Sequence, residues 1–154
     1  MTHLIKDGRI VADPWQWIRA DEPPGIERLD DQGHFLLPLE LWRSCRDTLA
    51  PAQAGVWLAP DDSPEALLPW LAGIPLIAIH FPTFTDGRGY SLARLLRNRY
   101  GYAGELRAVG DVLRDQLYFL HGCGFDAFQL RADQAPAEAL AAFRDYAWRP
   151  VTAR

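Results

Sequence analysis

From residue 34 onward, short apolar runs alternate with longer stretches in which apolar residues recur at helical spacing. The runs at 35–39, 56–59, 76–81, 106–109 and 127–130 predict buried strands, and 40–49, 64–71, 92–100, 113–123 and 136–146 predict helices. Within 92–100, Leu92, Leu95 and Leu96 share one face while Arg94 and Arg97 point elsewhere. Leu113, Leu117 and Leu120 fall at i, i+4 and i+7; Asp111 is placed to cap that helix, with Asp115 in its first turns to favour the dipole.

Repeated strand–helix alternation implies a parallel sheet with right-handed crossovers, and strands apolar on both faces agree with it. About five such units are too few for a complete eight-fold barrel of roughly 250 residues. The expected architecture is therefore α/β: an open parallel sheet of about five strands flanked by helices, a three-layer sandwich. The first 33 residues have another texture and read as an N-terminal arm of the same fold unit as the α/β domain at 34–154. In that arm Lys6-Asp7-Gly8-Arg9 predicts a turn between Leu4-Ile5 and Ile10-Val11, a small hairpin. Trp15 and Trp17 follow and need a surface to cover, and the acidic, proline-broken stretch 21–25 predicts irregular chain.

Composition narrows the class without naming a reaction. A chain of 154 residues with 49% hydrophobic and 23% charged residues is ordinary for a soluble single domain. The net charge of −4 argues against a general nucleic-acid binder. No apolar run approaches the length of a membrane span and the N-terminus lacks an apolar signal core, so a soluble, cytoplasmic protein is expected. Cys45 and Cys123 have neither CxxC spacing nor a histidine at ligand spacing; they read as two buried thiols, and no metal site is predicted.

In a parallel sheet all strand carboxyl ends face one edge, which here gathers the loops at 60–63, 80–91, 110–116 and 131–133. Asp86, Gly87, Arg88, Gly89 and Ser91, with Arg114 and Asp115, are the candidate ligand residues. The glycines let backbone approach a ligand, and free N–H groups at the following helix start, together with Arg88, could hold an anion. The same segment also reads as a plain turn, with Ser91 capping the helix and Asp86 bonded to nearby backbone. It is neither a P-loop nor a dinucleotide fingerprint, which would need glycine at Leu92. His80, at a strand end, and Asp111 are the candidate proton-transfer groups; His80 also reads as a hydrogen-bonded packing residue and Asp111, with Arg114 and Asp115, as structural ion pairing at a helix start, whereas His121 reads as a helix-end residue. No Gly-x-Ser-x-Gly elbow supports acyl transfer. Of the six tryptophans, Trp42 and Trp57 read as core; Trp15, Trp17 and Trp148, in terminal segments, suggest a homodimer or a protein partner.

Several longer stretches carry a resemblance. Phe81-Pro82-x-Phe84-Thr85-Asp86-Gly87-Arg88-Gly89-Tyr90-Ser91, Leu95-Leu96-Arg97-x-Arg99-Tyr100-Gly101, the run from Gly104 to Gln116, and Cys123-Gly124-Phe125-Asp126-Ala127-Phe128 resemble the bacterial family called domain of unknown function 934 (DUF934). The resemblance covers about residues 34 to 146. Its members are typically encoded beside genes of assimilatory sulfate and sulfite reduction, and some carry the loose label of oxidoreductase. That context implies a role in cysteine biosynthesis without implying a reaction, and it carries over no catalytic residue.

The expected function is a non-catalytic accessory protein of sulfite or sulfate reduction that binds the reductase or a small oxyanion through the 86–91 edge. Its rival is a small enzyme acting on a sulfur or phosphate oxyanion, with Arg88 and Arg114 gripping the anion and Asp111 or His80 moving a proton. A homo-oligomeric scaffold without a ligand is the third reading. No cofactor is predicted, and a flavin bound without a fingerprint stays open.

Overall fold

The computed structural model describes residues 3–19 and 33–144. Its centre is an eight-stranded sheet of β1 (His3–Lys6), β2 (Arg9–Ala12), β3 (Trp15–Trp17), β4 (His34–Pro38), β5 (Ala54–Leu58), β6 (Leu76–Phe81), β7 (Glu105–Gly110) and β8 (Ala127–Phe128), in the order β2-β1-β8-β7-β6-β5-β4-β3. Strands β3 to β8 are mutually parallel, and β1 is antiparallel to both β2 and β8. The predicted hairpin is present, with Asp7 and Gly8 both at positive φ (52° and 76°), the two-residue turn that Asp-Gly favours.

The two edges of this sheet are one piece of chain. β2 and β3 point the same way and are separated only by Asp13 and Pro14, so Ala12 and Trp15 lie at most about 11 Å apart. Residues Arg9–Trp17 thus form a single broken stave that pairs with β1 along its first half and with β4 along its second. The sheet curls into a ring around an inner face. Proline, which lacks a ladder donor, stands at the break between the two pairings.

Helices α1 (Leu39–Cys45), α2 (Arg88–Arg94), α3 (Leu117–Cys123) and α4 (Pro136–Arg144) connect or follow the strands. Among the described residues the buried apolar side chains of α1 to α4 pack with the outward set of the strands, including Val56, Ile77, Ile79, Leu106 and Phe128. The inward set, Leu36, Trp57, Leu76, Ala78 and Val109, clusters instead with Trp15 and Trp17 and contains no helix residue. This corrects the expected five-stranded, three-layer sandwich. With strands β3 to β8 laid down in sequence order, right-handed crossovers all return on one face; covering both faces requires a reversal of strand order. The paired tryptophans do cover a surface, but it is the inner face of their own sheet.

Helical expectations hold in place more than in kind. Residues 64–73 form a 3-10 helix, Pro64–Gly73, interrupted by Pro69. The 92–100 segment divides into α2 and a π turn, Leu95–Arg99, closed by Tyr100 N–H donating to the Leu95 carbonyl at 2.9 Å. Arg97, expected to point away from the core, is only 4% exposed. It donates to the carbonyls of Gly124 (2.7 Å), Tyr102 (2.8 Å) and Gly104 (2.7 Å) and pairs with Asp126 at 3.3 Å. Wide π winding is a local insertion often found where a side chain has a special task, and here that task is binding three loop carbonyls. Of the predicted helix at 113–123, residues Arg114–Gln116 form a 3-10 turn and α3 supplies the rest. The C-terminal part of the predicted last helix, and Trp148, lie outside the described residues.

Among the described residues no helix is long and apolar enough to cross a membrane, and no group of three or more His, Cys, Asp or Glu could hold a metal ion. Cys45 and Cys123 are buried and unbridged, and burial raises both thiol pKa values, as expected for inert packing residues.

Candidate functional site

The carboxyl ends of β3, β6, β7 and β8 meet at one mouth of the ring, around a cleft of about 600 Å³ whose polar lining is Trp17, Arg19, His80, Asp111, Gln129 and Arg131. Alternation explains who is inside. Trp17 pairs in register with Leu36, an inward residue; His80 follows Ala78 on β6 by two, and Gln129 follows Ala127 on β8 by two.

His80 stands edge-on to two indole rings, Trp17 at 5.6 Å and Trp57 at 5.5 Å between centroids. Gly110 faces it with φ at 98°. A Cβ there would come within 2.5 Å of the Phe81 carbonyl oxygen and 2.7 Å of the His80 ring, so only glycine lets the imidazole lie where it does. Burial pushes the His80 pKa below its ordinary value, and the positive charge of Arg19 pushes in the same direction. The ring is therefore neutral at neutral pH, with one donor and one acceptor nitrogen. Among the described residues no group hydrogen-bonds to it.

Arg19 stacks its guanidinium over the Trp17 ring at 4.0 Å, and no carboxylate among the described residues pairs with it. Trp57, whose indole N–H donates to the Ile18 carbonyl at 2.9 Å, holds the chain just before Arg19 against the inner face. The Trp17 indole N–H is buried without a protein acceptor among the described residues.

Asp111 is a bracket between loops. One carboxylate oxygen accepts the Phe84 amide N–H at 2.8 Å, and the other accepts from Arg131 at 2.9 Å. Arg131 also grips Asp133, at 2.6 and 2.8 Å, which holds the Asp133 carboxyl down to about 2. Gln116 completes the clasp by donating to the Phe84 carbonyl (2.8 Å) and the Tyr90 hydroxyl (3.1 Å). This overturns the expectation that Asp111 caps the next helix: its oxygens are turned to a neighbouring loop, and it is Gln116 that reaches back, accepting the Leu113 N–H at 3.1 Å.

Asp86 and Arg88 bind one another, with guanidinium contacts at 2.8 and 3.1 Å and the Arg88 amide donating to the same carboxylate at 3.1 Å, which lowers the Asp86 pKa. Gly87 precedes α2, and Gly89 packs on the Phe81 ring, which a Cβ would approach within 2.5 Å. Ser91 lies exposed within α2 and does not cap it. Arg114 pairs with Glu138 at 3.4 Å on an exposed surface, beside exposed Asp115. No contact among the described residues joins Arg88 to Arg114. The four predicted loops do converge: 80–91, 110–116 and 131–133 are hydrogen-bonded together, and Asp61 of the fourth lies close enough to act electrostatically on Arg88. Arg19 and Gln129 escaped the sequence reading. Alternation places Gln129 inside once β8 is known, whereas nothing local marks Arg19, which lies beyond a three-residue strand.

The model of a family described as a bacterial protein of unknown function, DUF934, matches residues 55–149. No curated protein and no solved structure matches the chain.

Proposed function

We propose a role for a chain that belongs to the bacterial DUF934 family, whose description assigns no activity: it is a non-catalytic binding protein that takes a small oxyanion at the mouth of its curled sheet, in the setting of assimilatory sulfate or sulfite reduction. One observation carries the anion. An arginine without a carboxylate partner and a neutral imidazole without a hydrogen-bond partner face the same cleft at the strands' carboxyl ends, among the described residues. Arg19 supplies the charge; His80 donates one N–H to an anionic oxygen without adding a second full charge. Arg131, already shared between Asp111 and Asp133, keeps the rim in shape. The pathway rests on the family resemblance alone.

Thermal unfolding with added sulfate, sulfite or phosphate tests the site. An anion present at 100 times its dissociation constant adds roughly 2.7 kcal/mol of stability, and Arg19→Gln is expected to abolish that gain while leaving the unliganded midpoint unchanged. Absence of stabilisation by all three anions would remove the reading. Growth tests the setting: a deletion strain is expected to fail on sulfate or sulfite and to grow on sulfide or cysteine.

The depressed His80 pKa favours a second reading, a small enzyme on the same anion, because a neutral imidazole is a ready general base. Turnover of a bound anion that His80→Ala eliminates without weakening binding would choose it over the accessory role.

A further inference from the structure

At the opposite end of the ring, under the β1–β2 hairpin and the amino end of β7, lies a separate cavity of about 970 Å³. We propose that it is a second binding site, for a small amphipathic monocarboxylate, independent of the mouth.

Charge placement is the first observation. Lys6 and Arg9 are direct cross-strand partners in the hairpin, and both line the cavity. Like charges directly opposite one another in an antiparallel pair are destabilising unless an anion lies between them. Glu105 answers Lys6 at 2.9 Å and Arg107 at 2.7 Å, and Asp13 answers Arg107 at 3.0 Å. Asp7 sits in the hairpin turn, where its backbone N–H donates to the Asp126 carbonyl, and it makes no ion pair with Arg9. Arg9 is thus a cation on the cavity wall with no carboxylate partner among the described residues. Glu105 and Asp7 on the same wall repel a dianion, so one remaining cation selects a single negative charge.

The second observation is the apolar wall. Leu4 and Val11, also direct cross-strand partners, continue from the charged pair toward Trp15. A head group held by Arg9 therefore leaves its tail on aliphatic and indole surface, within a volume typical of ligand pockets. The third is rigidity: Arg107, 1% exposed, is locked between Asp13 and Glu105, so this wall exists before any ligand arrives.

Octanoate titration of the 15N-labelled full chain, read by amide shifts, tests the proposal. Saturable shifts centred on residues 4–12 and 105–107 are expected. Arg9→Gln, a change at an exposed position, should weaken binding by about tenfold or more, as should replacing octanoate with uncharged octanol. His80→Ala at the mouth should leave it unchanged. Shifts centred on the mouth, unaltered affinity in Arg9→Gln, or no saturation at millimolar octanoate would each overturn the proposal. Only shifts centred on the mouth would also speak to anion binding by Arg19; the other outcomes leave that reading untouched.

Discussion

His80 shows how a residue's neighbours decide its chemistry. Two indoles and a glycine with φ at 98° hold its ring, and burial with Arg19 nearby keeps it uncharged. Because its folded pKa lies below the unfolded value of about 6.5, the unfolded chain takes up the proton more readily. The associated stability is fully present above that unfolded value and is lost as pH falls from there through the folded pKa. Urea midpoints between pH 7 and 5 should therefore fall more steeply for the wild type than for His80→Phe. Parallel slopes, or an NMR-titrated pKa at or above 6.5, would contradict this electrostatic reading.

Among the elements, β7 carries the least expected residue. Arg107 sits in the middle of an apolar run, and from inside the ring it ties β7 to the break in the stave at Asp13 and, through Glu105, to Lys6 of β1. Removing the cation leaves the Asp13 carboxylate buried without its charge partner, so Arg107→Met should cost about 3–5 kcal/mol in urea unfolding. The double variant Asp13→Asn, Arg107→Met should recover more than half of that loss, because replacing both partners removes the uncompensated charge. Sequence patterning does not reveal such a residue, since an arginine between Leu106 and Ala108 looks like a solvent-facing break in a strand. Arg97 escaped for a related reason: helical spacing turned it outward, whereas π winding and three loop carbonyls draw it in. The loops were more legible, because charged segments after apolar strands are gathered by parallel geometry whatever the strand order. Asp111 was recognised as a site residue, yet its actual partners, Phe84 and Arg131, lie 27 and 20 positions away in the chain.

At the scale of the molecule, the strand–helix alternation and the parallel sheet were readable, and the closure was not. The β1–β2 hairpin was marked by its Asp-Gly turn and β8 by its apolar run, but β3 has only three residues and nothing in it announces its pairing with β4. The inner face is also apolar, so its strands look as though helices cover both sides. Closure makes residues 3–19 indispensable: they supply Trp15 and Trp17 to the inner cluster and the only strands that bridge β8 to β4 among the described residues. A chain lacking residues 1–19 should show no cooperative urea transition and should bind anilinonaphthalene sulfonate, the signature of exposed, loosely packed apolar surface. A sharp transition with the wild-type midpoint would mean that the remaining strands stand alone.

The stave also sets an order of events during synthesis. β1 pairs with β8 through Ile5 and Phe128, so β1 waits for a strand synthesised much later before its outer edge is matched. The intervening β/α units can form as they emerge, each against its predecessor, whereas the ring itself closes only after the nascent chain passes residue 128. Pairings of such long sequence separation form slowly. Until then the inner tryptophans stay uncovered, open to solvent or to whatever chaperone holds the growing chain.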